Sequence, residues 1–258
     1  MGRTSEKHHW EKFWEESSEI EDVYDTGGRV VDGLREVLDP AGARILEVGA
    51  GSGRDSLDLQ RRGAQVCVVD YTPSALNLIR RQQDGTLLQP VCGNAFQLPF
   101  PDGTFDAVFH QGLLEHFRNP ADMVRENARV LKPGGLLLID VPQRWHYYTP
   151  LKHIMIAMNR WFAGWETEFS IGELRAILRD AQLEPVFEYG DWCVPNLFYR
   201  VARKSLLKAG VRLPQQPTVP VLGAIAARLR QALSQTALPL YTGMNIGCIG
   251  RKASGRGE

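Results

Sequence analysis

Cysteine is scarce in this chain: four residues in 258, Cys67, Cys92, Cys193 and Cys248, with no C-x-x-C pair among them. That spacing argues against a zinc site and a disulfide framework, and it reads as buried free thiols in a reducing cytoplasm. Net charge is missing too, since 30 Lys and Arg balance 30 Asp and Glu. A neutral chain has no global attraction for nucleic acid, so an RNA or DNA substrate would need a local basic patch. Long apolar runs are also lacking, and none reaches the ~18 residues of a membrane span. The nearest stretches, 151–165 and 218–241, are interrupted by Asn159-Arg160 and by Arg228 and Arg230. The opening residues Met1 to Lys7 lack the apolar core of a secretion signal. No internal repeat and no long low-complexity segment is found.

What the chain does have is an alternation of short apolar runs and helical patterns. Residues 1–25 are charged and aromatic (Trp10, Phe13, Trp14, Tyr24) and read as a helix or arm lying on something else. Val30 to Leu38 has helical spacing, and Asp39-Pro40-Ala41-Gly42 breaks it. Strands are predicted at 44–48, 65–69, 87–92, 105–110 and 136–141, with helices over 54–62, 72–83 and 120–131 between them. This order indicates βαβ units and a parallel sheet. After Pro142 the pattern changes. Ser170-x-x-Glu173 resembles a capping box for a helix through Ala181, and 184–189 and 245–251 read as closing strands. The expected organisation is an N-terminal helical arm (1–40), a ligand-binding core (41–142), a lid or substrate region (143–183), and C-terminal strands of the core (184–258) with a partly helical insertion at 191–243.

The central constellation is Glu47-Val48-Gly49-Ala50-Gly51-Ser52-Gly53, between a strand and a helix. Glycines there allow a sharp turn and close approach of a ligand. Asp70 ends the next strand, where a carboxylate can accept hydrogen bonds from ribose hydroxyls. A tight turn with no ligand is the plain alternative. Dinucleotide binding is disfavoured, because the fingerprint read from Gly49 needs glycine where Arg54 stands. Glu47 would also repel a pyrophosphate, whereas it suits a ligand with a cationic amino group.

At these residues the chain resembles the class I S-adenosylmethionine-dependent methyltransferases, in register over roughly 44–141. ILEVGAGSGR (45–54) resembles the family's first motif, and VVD ending at Asp70 the second. GNAFQLPFPDGTFDAVF (93–109) resembles the adenine-contacting segment, HQGLLEHF (110–117) the wall of the methionine end, and LKPGGLLLI (131–139) the turn into the fifth strand. The resemblance implies a Rossmann-like, doubly wound α/β fold: a seven-stranded sheet with its last strand antiparallel, plus helical lid insertions. It implies S-adenosylmethionine as cofactor, with Gly49 and Gly51 near the methionine part, Asp70 on the ribose and Asn94 and Ala95 on the adenine. Gln111 would lie near the methionine end, and Glu47, Ala50 and Tyr71 complete the set. Tyr24 and Arg29, in VYDTGGR, resemble an arm closing over the cofactor, where Arg29 would pair with the methionine carboxylate. A surface arginine is the alternative reading.

The sulfonium activates its own methyl group, so the protein must align an acceptor and exclude water. Some acceptors also need a base. Candidates are His110, His116, His146 and His153, with His116 and His146 put forward as catalytic beside a plain packing or surface role. The Asn/Asp-Pro-Pro-aromatic sequence for nucleobase amines and a Pro-Cys pair are both missing. These absences and the neutral charge favour a small-molecule acceptor over nucleic acid. Trp145, Tyr147, Tyr148, Met155, Met158, Trp161, Phe162 and Trp165 would wall an apolar pocket for a lipid-like or quinone-like acceptor, or else pack as ordinary core. A surface amphipathic helix touching a membrane is a further option. Two other functions stand beside methyl transfer: a non-catalytic protein that holds S-adenosylmethionine or S-adenosylhomocysteine, and an NAD-dependent oxidoreductase.

Overall fold

Short runs, most of them rich in Val, Ile and Leu, form the strands of a single sheet. The structure is a computed structural model that describes residues 5–16, 27–81, 88–161, 163–192, 199, 202–203, 206, 210–214, 228, 232–233 and 236–254. The strands are β1 (Arg44–Val48), β2 (Gln65–Asp70), β3 (Gln89–Cys92), β4 (Phe105–Gln111), β5 (Leu131–Pro142), β6 (Leu183–Asp191) and β7 (Asn245–Lys252). Among the described residues the helices are α1 (Lys7–Glu16), α2 (Arg29–Arg35), α3 (Arg54–Arg61), α4 (Pro73–Arg81), α5 (Ala121–Val130), α6 (Tyr148–Ala157), α7 (Ile171–Asp180) and α8 (Leu238–Thr242).

The strand order is β3-β2-β1-β4-β5-β7-β6. Strands β1 to β5 pair in parallel, and β7 runs antiparallel between β5 and β6. This is the seven-stranded sheet with an antiparallel last strand that the sequence implied. The chain leaves β1 toward β2 and β3, then returns to the other side of β1 as β4. The strand order therefore reverses between β1 and β4, and ligands of open α/β sheets bind in the crevice beyond the carboxyl ends at such a point.

Side chains alternate across the strands and bury both faces. Leu46, Val48, Val108, Leu137 and Ile139 pack under α5 and α7, while Ile45, Val68, Ala107, Phe109 and Leu138 pack under α2, α3 and α4. Helix α1 lies on α4 through Trp14, Ala75 and Leu78. The capping box at α7 is formed: Ser170 Oγ accepts from Glu173 N, and the Glu173 carboxylate accepts from Ser170 N at 2.8 Å.

Several local expectations change. The third strand begins at Gln89, and residues 82–87 lie outside the described residues. The fifth strand begins at Leu131, which faces Phe105; Leu136 faces Ala107, so Lys132-Pro133-Gly134-Gly135 loops out of the ladder. Cys67 and Cys248 are buried free thiols, but Cys92 is exposed, because it ends a strand at the sheet's edge. Cys193 and most of the predicted insertion at 191–243 lie outside the described residues.

Candidate cofactor site

The turn after β1 is built from backbone conformations that L side chains avoid. Gly49, Gly51 and Gly53 have φ of 69°, 50° and 65°. Contact also limits two of these positions. A Cβ on Gly49 would stand 2.8 Å from Leu113 Cδ1, and one on Gly51 would stand 2.4 Å from Trp14 Cζ2. The turn is pinned to the next strand: Gly49 N donates to the Val69 carbonyl at 2.7 Å, and Gly51 N donates to Asp70 Oδ2 at 3.0 Å. The other Asp70 oxygen accepts from Thr72 N at 2.9 Å and from Thr72 Oγ1 at 2.6 Å. Asp70 is therefore fixed at the carboxyl end of β2 before any ligand arrives.

Beyond this turn lies a cavity at the point where the strand order reverses. Glu47, Gly49, Ala50, Gly51, Asp55 and Asp70 form one side, and Gln111, Gly112, Leu113, His116 and Phe117 form the other. Trp10 and Trp14 of α1 close it from above. Eight residues expected from the sequence thus meet in one place: Glu47, Gly49, Ala50, Gly51, Asp70, Tyr71, Gln111 and His116.

Electrostatics favour a cation here. Glu47 and Asp70 are both buried. Burial raises the Glu47 pKa well above the usual carboxylate range, and the nearby Asp55 and Asp70 raise it further. Burial also raises that of Asp70, against the hydrogen bonds from Thr72 and Gly51 that favour its ionised form. Opposite charge restores ionisation of crowded carboxylates, so a bound ammonium or sulfonium would relieve the clustering.

Other expected residues lie elsewhere. Asn94 and Ala95 are outside the cavity lining, although Gly93 N donates to the Asp70 carbonyl at 3.0 Å and so places them at its edge. Asn94 Oδ1 accepts from Phe96 N within its own turn. Arg29 does not line the cavity. Its guanidinium holds Asp140 at the end of β5 with two bonds of 2.9 and 2.8 Å, and Tyr189 Oη donates to the same carboxylate. The expected pairing with a methionine carboxylate thus gives way to an internal ion pair that ties α2 to the sheet. Tyr24 lies outside the described residues. His146 is also away from the cavity: Nδ1 accepts from Tyr148 N at the start of α6, and burial lowers its pKa.

His116 stays in the site. It sits in the helical turn 114–116 after β4, with its ring edge-to-face on Trp10 at 4.6 Å between centroids. Burial lowers its pKa, which favours the neutral ring, while the Glu166 charge and the backbone of Trp165 and Gly112 act in the opposite direction.

Behind His116 stands a cluster that the sequence did not announce. Lys152 of α6 donates to Glu166 Oε2 at 2.8 Å and reaches Glu168 Oε1 at 2.7 Å. His153 Nε2 meets Glu168 at 2.8 Å. Glu115 is buried beside them, and burial and the Glu166 charge raise its pKa well above the usual range. The Thr167 N donates to the Glu115 carbonyl, so this segment is sewn to the cavity wall. No local pattern marks the cluster, because its members lie up to 53 positions apart along the chain.

Comparison with known proteins agrees with this geometry. Residues 46–139 match the family model of the methyltransferase domain. A ubiquinone biosynthesis O-methyltransferase of Xanthomonas oryzae pv. oryzae is 34% identical over 158 residues, which cover 57% of this chain and 65% of that protein. A demethylmenaquinone methyltransferase of Clavibacter sepedonicus is 39% identical over 106 residues, covering 41% and 43%. The chain thus spans less than two thirds of the length of these curated relatives. Among solved structures, an S-adenosylmethionine-dependent methyltransferase of Mesorhizobium loti superposes with a TM-score of 0.59 at 15% identity, over 88% of this chain and 99% of that one. The [4+2]-cyclase SpnF superposes at 0.58 with 23% identity, over 88% and 81%. Over residues 46–139 the chain matches the methyltransferase domain, and its sheet order and glycine turn are similar to those of class I S-adenosylmethionine-dependent methyltransferases. Within that class, this chain's curated likenesses include methyltransferases named for quinones, and the cofactor of the class is S-adenosylmethionine.

Proposed function

We propose that this chain transfers a methyl group from S-adenosylmethionine to a small, apolar or aromatic acceptor of the quinone type. The observation that carries the reading is the meeting of the glycine turn, Asp70 and His116 around one cavity. In this reading Gly49 to Gly51 accommodate the amino-acid part, Glu47 and its acidic neighbours favour its positive charge, and Asp70 and Tyr71 hold the ribose. Asn94 and Ala95 stand at the adenine edge, and Gln111 at the methionine end. When bound, S-adenosylmethionine supplies a methyl group already activated by its sulfonium.

The remaining work belongs to the chain. Trp10 and Trp14 exclude water from above. His116, whose ring burial holds toward the neutral form, serves as the base that takes the proton of the acceptor hydroxyl. The names of the quinone methyltransferases and the aromatic content of 142–169 support this acceptor class. The superposition on a cyclase is a reminder that the fold alone does not assign a reaction.

Methyl-labelled S-adenosylmethionine incubated with a panel of phenolic quinone precursors tests the reading, with S-adenosylhomocysteine release as the readout. Label is expected in the ether product, and His116→Gln should lower kcat by about 10²-fold, with little change in the affinity for S-adenosylmethionine. Tight cofactor binding with no transfer to any acceptor would instead define a non-catalytic binding module.

A further inference from the structure

Helix α6 buries a charge beside Ile156 and exposes apolar side chains. Its only lysine or arginine, Lys152, is 3% exposed, whereas Leu151 and Ile154 are 49% and 55% exposed. Tyr147 before the helix and Met158 after it are exposed as well, as is Trp145 at 68%. Positions 147, 151, 154 and 158 recur at helical spacing, so they form one continuous stripe. A surface helix ordinarily shows the opposite arrangement, with its apolar stripe on the core.

Charge is skewed in the same place. The stretch 141–165 contains Arg144, Lys152 and Arg160 and no Asp or Glu; Arg144 is paired with Glu173 and buried Lys152 with Glu166 and Glu168, which leaves Arg160 as the exposed cation of the face. In sequence, 192–244 repeats the bias, with seven Lys and Arg and no acid, in a chain whose total charge is zero. Arg160 is exposed just past the end of the stripe. Among the described residues no helix is long and apolar enough to cross a membrane.

We propose that the exposed face of α6, with Trp145 and Tyr147 at one end and Arg160 at the other, docks on an anionic phospholipid surface. Apolar side chains of such a face enter the boundary between headgroups and acyl chains, and Trp and Tyr settle at headgroup level. Arg160 meets the negative headgroups. The exposed Arg160 complements this surface, whereas a second copy of the same face would set Arg160 against an apolar stripe with no acid beside it. The buried side of α6 carries Lys152, which holds Glu166 and Glu168 behind His116. The helix thus joins the lipid surface to the cluster behind His116. The inference stands independently of the quinone-type reading.

The test is co-sedimentation of the full chain with phosphatidylcholine vesicles, with and without phosphatidylglycerol, at low and high salt. Wild type is expected to pellet with the anionic vesicles and to be released by salt. Leu151→Asp/Ile154→Asp should remain in the supernatant, and Arg160→Glu should weaken binding about tenfold or more. Calorimetry of the same variants with S-adenosylmethionine should match wild type, which separates loss of docking from loss of fold. The proposal is overturned if wild type stays in the supernatant, or if the double variant pellets like wild type. It is equally overturned if sedimentation velocity shows a wild-type dimer that the double variant turns into monomer. Vesicle binding without cofactor binding would remove the methyltransferase reading and leave the docking surface standing.

Discussion

The two sides of the cavity are built from opposite materials. The side after β1 is backbone: glycines at positive φ, amide groups fixed on Asp70, and no room for a Cβ at Gly49 or Gly51. The other side, which His116 lines, is backed by side chains: Lys152 between Glu166 and Glu168, with Glu115 buried beside them. A backbone site accepts one shape of ligand and leaves little to vary. A side-chain cluster is held by long-range pairs and can be rebuilt for a different acceptor while the turn stays the same. The contrast suits a fold in which one cofactor serves many reactions.

Breaking the side-chain half should cost the most stability. Lys152→Met would leave Glu166 and Glu168 buried without their cation, and the expected loss is about 3–5 kcal/mol in denaturant unfolding. A loss below about 1 kcal/mol, the range of exposed pairs, would show that water reaches the cluster. On the backbone half, Gly51→Ala meets both a left-handed conformation and the Trp14 ring, which Ala75 and Leu78 hold in place. The conformation alone costs about 1–2 kcal/mol, and the displaced indole should shift tryptophan emission to longer wavelength. Unchanged emission would mean that α1 does not close on the turn.

A third prediction concerns His110, which is buried in β4 with neither ring nitrogen partnered among the described residues. Burial pushes its pKa down to about 3. The unfolded chain, with a value of about 6.5, then binds more protons than the native one between those limits, so stability falls as pH drops below about 6.5. At pH 5 the expected loss is about 2 kcal/mol. His110→Leu should abolish it while keeping stability near pH 7, as judged by urea unfolding at the two pH values. An equal acid loss in both proteins would place the titrating group elsewhere.

The same contrast explains what was legible in the sequence. The glycine turn, Asp70, Gln111 and His116 sit at the ends of strands, where local pattern and chain order decide position, and all of them line the cavity. The strand ladder was legible for the same reason, apart from the looped-out Lys132 to Gly135 and the edge at β3. Arg29 and His146 were misplaced because their partners are remote or conformational: Asp140 lies 111 positions from Arg29, and His146 serves the turn into α6. The Glu115–Lys152–Glu166–Glu168 cluster has no signature in sequence, since nothing local requires those charges to be buried together. The exposed stripe of α6 follows the helical period, but periodicity alone cannot say which face is inside.

The account stands most directly on Asp70, the one side chain that both fixes the glycine turn and faces the expected ribose. Titration of wild type with S-adenosylmethionine by calorimetry should show one site per chain, and Asp70→Ala should weaken it by about tenfold or more, with NAD giving no heat. Equal affinity in the two proteins, or binding of NAD in place of S-adenosylmethionine, would contradict the assignment of this crevice.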